Sequence, residues 1–211
     1  MKTIILGKES ILSTRLKKNL KNSEAFSTRE IKNVEIVLNR IKKYKKINLI
    51  FNNFYPSKKI GLVNENSYGQ FFDQSINFNS KLLSLINKKK INKIIYSSSA
   101  SIYNSISHNY ISTDGFNRKL YASTKINNEN LIYNFCSKNN ISYVIARIFN
   151  LYGSKNDEFS IISKIIECFK KNKLVKIFQG GSNIRDFIHI DDVVKVYAHI
   201  LKNVKKNAVI D

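Results

Sequence analysis

The chain has no tryptophan, one proline, one methionine and two cysteines among its 211 residues. So little proline and only seven glycines leave no room for a low-complexity linker, and no internal repeat is visible. Two cysteines cannot frame a disulfide scaffold. Cys136 and Cys168 fall inside apolar helical patterns, so they read as reduced core residues of a cytoplasmic protein. Long hydrophobic runs are missing too. The first, Ile4 to Leu6, ends at Gly7 and is far shorter than a signal core or a membrane span.

Acidic residues are scarce: 15 against 36 lysines and arginines, a formal net charge of +21. Such a surplus invites a nucleic-acid reading, because clustered cations release counterions from phosphates. The abundance of Lys, Asn and Ile beside the lack of Trp, Pro and Met is instead the pattern of an AT-rich coding sequence. The lysines lie mostly on the polar side of amphipathic stretches (KKNLKN, RIKKYKK, INKKKINK), where a solvated face is the default. Neither a nucleic acid nor a membrane is expected as a partner, and no metal site is expected.

What is present is a core's worth of apolar residues, 43% of the chain with 11% aromatics. Short apolar runs at Thr3–Leu6, Ile47–Phe51, Ile91–Tyr96 and Ser142–Ile148 predict buried strands. Between them Ile11–Leu20, Val34–Ile41, Phe71–Ile86 and Ile126–Phe135 have helical spacing, and a weaker strand is predicted over Glu24–Ser27. This alternation argues for a parallel sheet wrapped by helices, with ligands at the carboxyl ends of the strands. After Tyr152 the texture changes. A helix is predicted over Phe159–Phe169, a strand over Val175–Phe178, a turn at Gly180-Gly181, a helix from Asp191 to about Leu201 with its acids at the positive end of the dipole, and a strand starting at Val209.

Four strings occur in order: SSSASIY at 97–103, YASTK at 121–125, RIFNLYG at 147–153 and IRDFIHIDD at 184–192. Tyr121 and Lys125 stand four residues apart, hence on one helical face. A tyrosine whose pKa is about 10 becomes a base at neutral pH only with roughly 4 kcal/mol of differential stabilisation. A nearby cation works in that direction. Upstream, the predicted strand ends in Ser97-Ser98-Ser99, where a hydroxyl could bond both the phenol and a substrate oxygen.

At these strings the chain resembles the NAD-dependent epimerase/dehydratase group of the extended short-chain dehydrogenases/reductases, which act on nucleotide sugars. The resemblance implies an α/β fold: a Rossmann-like, doubly wound parallel sheet over 1–152, and a small, incomplete substrate lobe over 153–211 whose last helix and strand return to the core. Family members continue further, so the chain reads as lacking their C-terminal part. Ser99, Tyr121 and Lys125 match the catalytic set, with Tyr121 as general acid/base and Lys125 its partner on the nicotinamide ribose. Asn150 and Arg185 match substrate-binding positions, as does Ser99, with Arg185 on the diphosphate.

NAD or NADP is implied as cofactor, against Gly7, Ser10, Ile11, Leu12, Arg29, Asn53, Phe54 and Lys125. The family's G-x-x-G-x-x-G loop keeps only its first glycine here, as Gly7-Lys-Glu-Ser10-Ile-Leu-Ser13. Arg29 stands where an acidic residue is usual and would suit a 2′-phosphate. The Asp-Glu pair of the dehydratases is replaced by Ala100 and Ser101, which leaves epimerisation or reduction at a sugar carbon. The alternative is an impaired relative that binds nucleotide or nucleotide sugar without turnover. A homodimer is implied through helices over 71–88 and 121–138.

Overall fold

A computed structural model of the chain describes residues 1–54, 63–105, 113–154, 160–175, 179–182 and 184–211. Six parallel strands form the main sheet in the order β2-β1-β3-β4-β5-β8. They are β1 (Lys2–Leu6), β2 (Ser23–Phe26), β3 (Ile47–Phe51), β4 (Ile91–Ser99), β5 (Ser142–Ile148) and β8 (Ala208–Ile210). The helices between them are α1 (Ile11–Asn19), α2 (Asn33–Ile41), α3 (Tyr68–Phe72), α4 (Phe78–Leu85), α5 (Thr113–Asn139), α6 (Ile161–Lys170) and α7 (Ile190–Asn203), with a π-helical turn at Asp73–Asn77 joining α3 to α4. This is the expected doubly wound, Rossmann-like sheet.

The central strands β1, β3, β4 and β5 are largely apolar on both faces because each face is covered by helices. On one side Ile4, Leu6, Leu49, Phe51, Ile94 and Tyr96 meet residues of α2, α4 and α5, including Val37, Phe78, Leu82 and Ile132. On the other, Ile5, Ile50, Ile95 and Val144 meet Leu12 and Leu16 of α1 and Val193, Val194 and Tyr197 of α7. Cys136 lies wholly in the first core, where burial pushes its thiol up to about 12 and keeps it inert. Cys168 departs from expectation. It is only half-buried, because α6 buries none of its residues.

Three differences from the sequence reading bear on the site. Strand β4 runs past Tyr96 through Ser97 and Ser98, both buried, because their hydroxyls are paired inside, to the Tyr197 hydroxyl at 2.7 Å and the Glu129 carboxylate at 2.5 Å. Helix α5 is far longer than the apolar stretch Ile126–Phe135. A second sheet was also not foreseen. β6 (Asn150–Tyr152) pairs in parallel with β7 (Phe187–His189), so the strings RIFNLYG and IRDFIHIDD lie side by side. A Cβ at Gly153 would collide with the His189 imidazole, which explains the glycine there. The strand predicted at Val175–Phe178 and the start of the helix predicted at Phe159 lie largely outside the described residues; Val175 itself is not in a strand.

Lys93, buried near the start of β4, donates to the carbonyls of Ile200 and Val204 at the end of α7. It neutralises orphan carbonyls at the negative end of that helix dipole. Near the outer edge of the sheet, Glu24 gathers Lys2 at 3.1 Å, Arg40 at 2.8 Å and the Tyr44 hydroxyl at 2.5 Å. Burial pushes this carboxyl up, but the hydrogen bonds from Arg40, Tyr44 and Lys2 outweigh it and hold the group down at about 2. A pKa depressed on folding stabilises fully above the unfolded value of about 4.3 and is lost as pH falls towards the folded value. Between pH 5 and pH 2 the chain should therefore lose about 2 kcal/mol through this group. Glu24→Gln should flatten that acid limb in urea titrations, and an unchanged limb would contradict the assignment.

Candidate active site

The site forms at the carboxyl ends of the strands, where the loops after β1, β3 and β4 meet the first half of α5. Ser99 ends β4. Its oxygen accepts from the Ser101 backbone N–H at 3.2 Å and from the Ser101 hydroxyl at 3.0 Å. Ser99 stands close enough to the Tyr121 phenol to act on it, and a hydroxyl donated there favours the phenolate. Burial opposes it and dominates, so the Tyr121 pKa lies above its ordinary value. Ser101 was not singled out from the sequence beyond its place where dehydratases carry an acid; its short polar side chain after a strand gave no signal of this role.

Lys125, one turn along α5, is buried. Its ammonium donates to the Ser97 carbonyl at 2.8 Å and lies 5.7 Å from the centre of the Tyr121 ring. The Tyr96 ring at 5.2 Å and the Phe54 ring at 4.8 Å complete its surroundings. Burial pulls the lysine down to about 7, with the Glu129 carboxylate holding it up in part. The expected cation therefore stands beside the phenol, but its charge is itself expensive there. Phe54 packs edge-on against Tyr121 at 4.7 Å and against Phe71 at 5.8 Å. The structure thus brings Ser99, Tyr121, Lys125 and Phe54 together.

Gly7 is held at φ +96°, and a Cβ there would meet the Asn52 carbonyl oxygen at 2.6 Å and Asn53 Cα at 2.7 Å. Only glycine fits. Ser10 caps α1 by accepting from the Ser13 N–H at 3.0 Å. The Asn52 side-chain amide donates to both serine hydroxyls, at 2.5 Å to Ser10 and 2.8 Å to Ser13. Asn52 is a residue the sequence reading missed. It ties the end of β3 to the two places where glycines are usual, and FNNF after a strand gave no hint of which asparagine would do so. Its neighbour Asn53 is buried, with Nδ2 on the Gln74 carbonyl at 3.1 Å and, among the described residues, no hydrogen-bond partner for Oδ1. Ile11 is exposed at the start of α1, whereas the Leu12 side chain belongs to the core and leaves only its backbone for a ligand. Arg29 is exposed and lies 3.8 Å from the Glu9 carboxylate, so these two loop charges face each other.

Asn150 opens β6, and Arg185 lies two residues before the paired strand β7. The Asn150 amide donates to the Asp186 carbonyl at 2.8 Å, and Arg185 donates to the Ile184 carbonyl at 2.8 Å with its side chain exposed. Among the described residues no group of acids, histidines and cysteines is placed to hold a metal.

A model of the family described as "NAD dependent epimerase/dehydratase family" matches residues 12–210. The chain belongs to that family. Among curated relatives, it is 28% identical over 151 residues to dTDP-D-glucose 4,6-dehydratase from Dictyostelium discoideum, covering 62% of this chain and 35% of that protein. It is 30% identical over 142 residues to ADP-L-glycero-D-manno-heptose-6-epimerase from Brachyspira hyodysenteriae, covering 63% and 44%. The solved UDP-glucose 4-epimerase with UDP-glucose from Thermotoga maritima superposes with a TM-score of 0.77 at 18% identity, over 99% of this chain and 75% of that one. The chain thus spans less than half the length of these two curated relatives.

A second clamp lies one turn beyond Lys125. Glu129 accepts from the Ser98 hydroxyl and from the Arg147 guanidinium, at 2.9 Å from Nη2 and 3.2 Å from Nε. Arg147 in turn donates to the Tyr103 hydroxyl at 2.6 Å, which donates to Asp211 at 2.7 Å. Removing one partner of a buried pair costs about 3–5 kcal/mol, less where the survivor reaches water. Arg147 is 23% exposed. Glu129→Ala should therefore lose about 2–3 kcal/mol in urea unfolding. A loss under about 0.5 kcal/mol, the level of an exposed pair, would show that the pair does not hold α5 in place.

Proposed function

We propose that the chain carries the cofactor-binding and acid/base half of an NAD(P)-dependent enzyme that acts on a nucleotide sugar. Its chemistry is redox at a sugar carbon, as an epimerase or a reductase. The observation that carries this reading is the placement of Ser99 beside the Tyr121 phenol with the Lys125 ammonium 5.7 Å from its ring centre. Ala100 and Ser101 lack the acid and base of a dehydration, which supports redox chemistry without loss of water.

The residues present fit a dinucleotide. Gly7 brings the β1 end within contact of Asn52 and Asn53, and the nine-residue helix α1 opens directly after it. The first-turn amides at Ile11 and Leu12, with the Ser10 and Ser13 hydroxyls, would take the pyrophosphate. Asn53 Oδ1 offers an acceptor without a partner among the described residues, Lys125 would take a ribose hydroxyl, and Arg29 would favour a 2′-phosphate over a bare ribose. When bound, the nicotinamide supplies a hydride acceptor or donor. Tyr121 Oη takes the proton of the sugar hydroxyl or returns it. Ser99 donates to the same oxygen and so steadies the charge that develops there. Because burial holds the phenol protonated, its ionisation depends on added positive charge beside it. Asn150 and Arg185 would meet the substrate's diphosphate side, and a homodimer would pair α4 and α5 with their copies.

A second reading, binding without turnover, is favoured by one observation. The Phe54 ring stands over Lys125 and against Tyr121, so a ribose reaching the lysine must displace it. Two assays separate the readings: turnover of UDP-, dTDP- and GDP-sugars with NAD or NADP, and titration of NADH and NADPH by fluorescence. Tyr121→Phe should cut turnover by about a hundredfold or more while leaving cofactor binding intact. Cofactor binding without turnover in the wild type would select the second reading, and no cofactor binding would sink the first.

A further inference from the structure

In a parallel sheet every strand starts at one edge, so the segments that precede the strands share that edge. Here they carry Lys21, KKYKK at 42–46, KKK at 88–90, Lys138 and the Lys205-Lys206 pair. These are eleven lysines, and none of the chain's 15 acidic residues lies in the same segments. In the sequence they read as parts of separate helices, each with a solvated face. The strand order gathers them into one rim along β2, β1, β3, β4, β5 and β8, roughly 24 Å long at the usual strand spacing. All but Lys90 are exposed. Glu24, the second residue of β2, is already engaged by Lys2, Arg40 and Tyr44 and leaves the rim uncompensated. AT-rich coding accounts for many lysines, but it also admits Asp and Glu and does not sort the two signs by strand end.

We propose that this amino edge of the sheet is an electrostatic docking surface for an anionic lipid headgroup layer. The rim holds lysines only. It has no arginine forks to grip single phosphates or base edges, and the rings beneath its lysines, Tyr44 under Lys2 and Lys43 and Phe135 under Lys88, are half-buried and offer no stacking platform. Mobile point charges spread over a broad edge match a diffuse layer of phosphates better than a nucleic-acid strand. At the β5–β8 end an open depression of about 510 Å³ is lined by Ser137, Asn140, Lys205, Lys206 and Asn207, donors suited to a headgroup phosphate. Among the described residues no helix is long and apolar enough to cross a membrane, so the attachment is peripheral. The nine-residue β4 separates the rim from Ser99 by roughly 30 Å, which leaves the candidate site facing away from the lipid. Nothing in this inference depends on the proposed reaction.

The test is co-sedimentation of the full chain with vesicles of phosphatidylcholine alone and with about a third phosphatidylglycerol, at about 0.1 M salt. The chain should pellet with the anionic vesicles only. Neutralising the rim by Lys45→Gln, Lys46→Gln, Lys88→Gln and Lys89→Gln should weaken binding at least about tenfold. The matched control Lys164→Gln, Lys170→Gln, Lys173→Gln and Lys195→Gln, outside the rim, should change it less than about twofold. Circular dichroism checks that each variant is folded. Should the fourfold rim variant fail to fold, Lys205→Gln with Lys206→Gln should show the same direction of loss. No pelleting with anionic vesicles, equal losses in both sets, or tighter binding to duplex DNA at the same salt would each overturn the proposal.

Discussion

The candidate site depends on the buried carboxylate of Glu129. In the β4–β5 register Ser98 lies directly opposite Arg147, and Glu129 takes a hydrogen bond from each. One helix residue is thereby fastened to both strands just before Ser99. Tyr121, Lys125 and Glu129 recur every fourth residue of α5 and so form one stripe along it. With a rise of about 1.5 Å per residue, Tyr121 lies roughly 12 Å from that anchor. A rigid helix pinned there keeps the phenol in register with the serine. Slippage by one residue would carry the stripe off the sheet.

The same pinning sets the electrostatics. Lys125 is drawn into a pocket of two aromatic rings and one carbonyl, where an ammonium is poorly solvated. Glu129 is the charge that keeps it from falling further. Tyr121 is held neutral by the same burial. Near neutral pH Lys125 is therefore poised between its charged and neutral forms, and both groups respond strongly to a charge brought beside them.

Much of this was legible in the chain. Ser142–Ile148, apolar at Tyr143–Ala146 and again at Ile148, is strand β5 to the residue. The spacing of Tyr121 and Lys125 places them on α5 as expected. Legibility failed where polar residues are internal. Ser97 and Ser98 look like a loop until their partners Tyr197 and Glu129, from distant segments, make them strand residues. The opening of α5 is masked by Ser, Thr and Asn, which are poor helix formers. The β6–β7 pair escaped because each strand has three residues and its partner lies across α6 in the chain. Asn52 and Ser101 act through side-chain hydrogen bonds within loops, which follow no period. The contrast in α6, apolar in pattern yet without a buried residue, shows that periodicity reports a face and not what covers it.

The central claim is that α5, pinned by Glu129, buries Lys125 as a poorly solvated cation beside Tyr121. Its most direct test is an NMR titration of the lysine side chains, with Lys125→Met to assign the signal. One lysine signal, absent in the variant, should titrate near pH 7. If the Lys125 signal instead titrates near the free-lysine value of about 10.4, the ammonium is solvated and the account of the site is wrong.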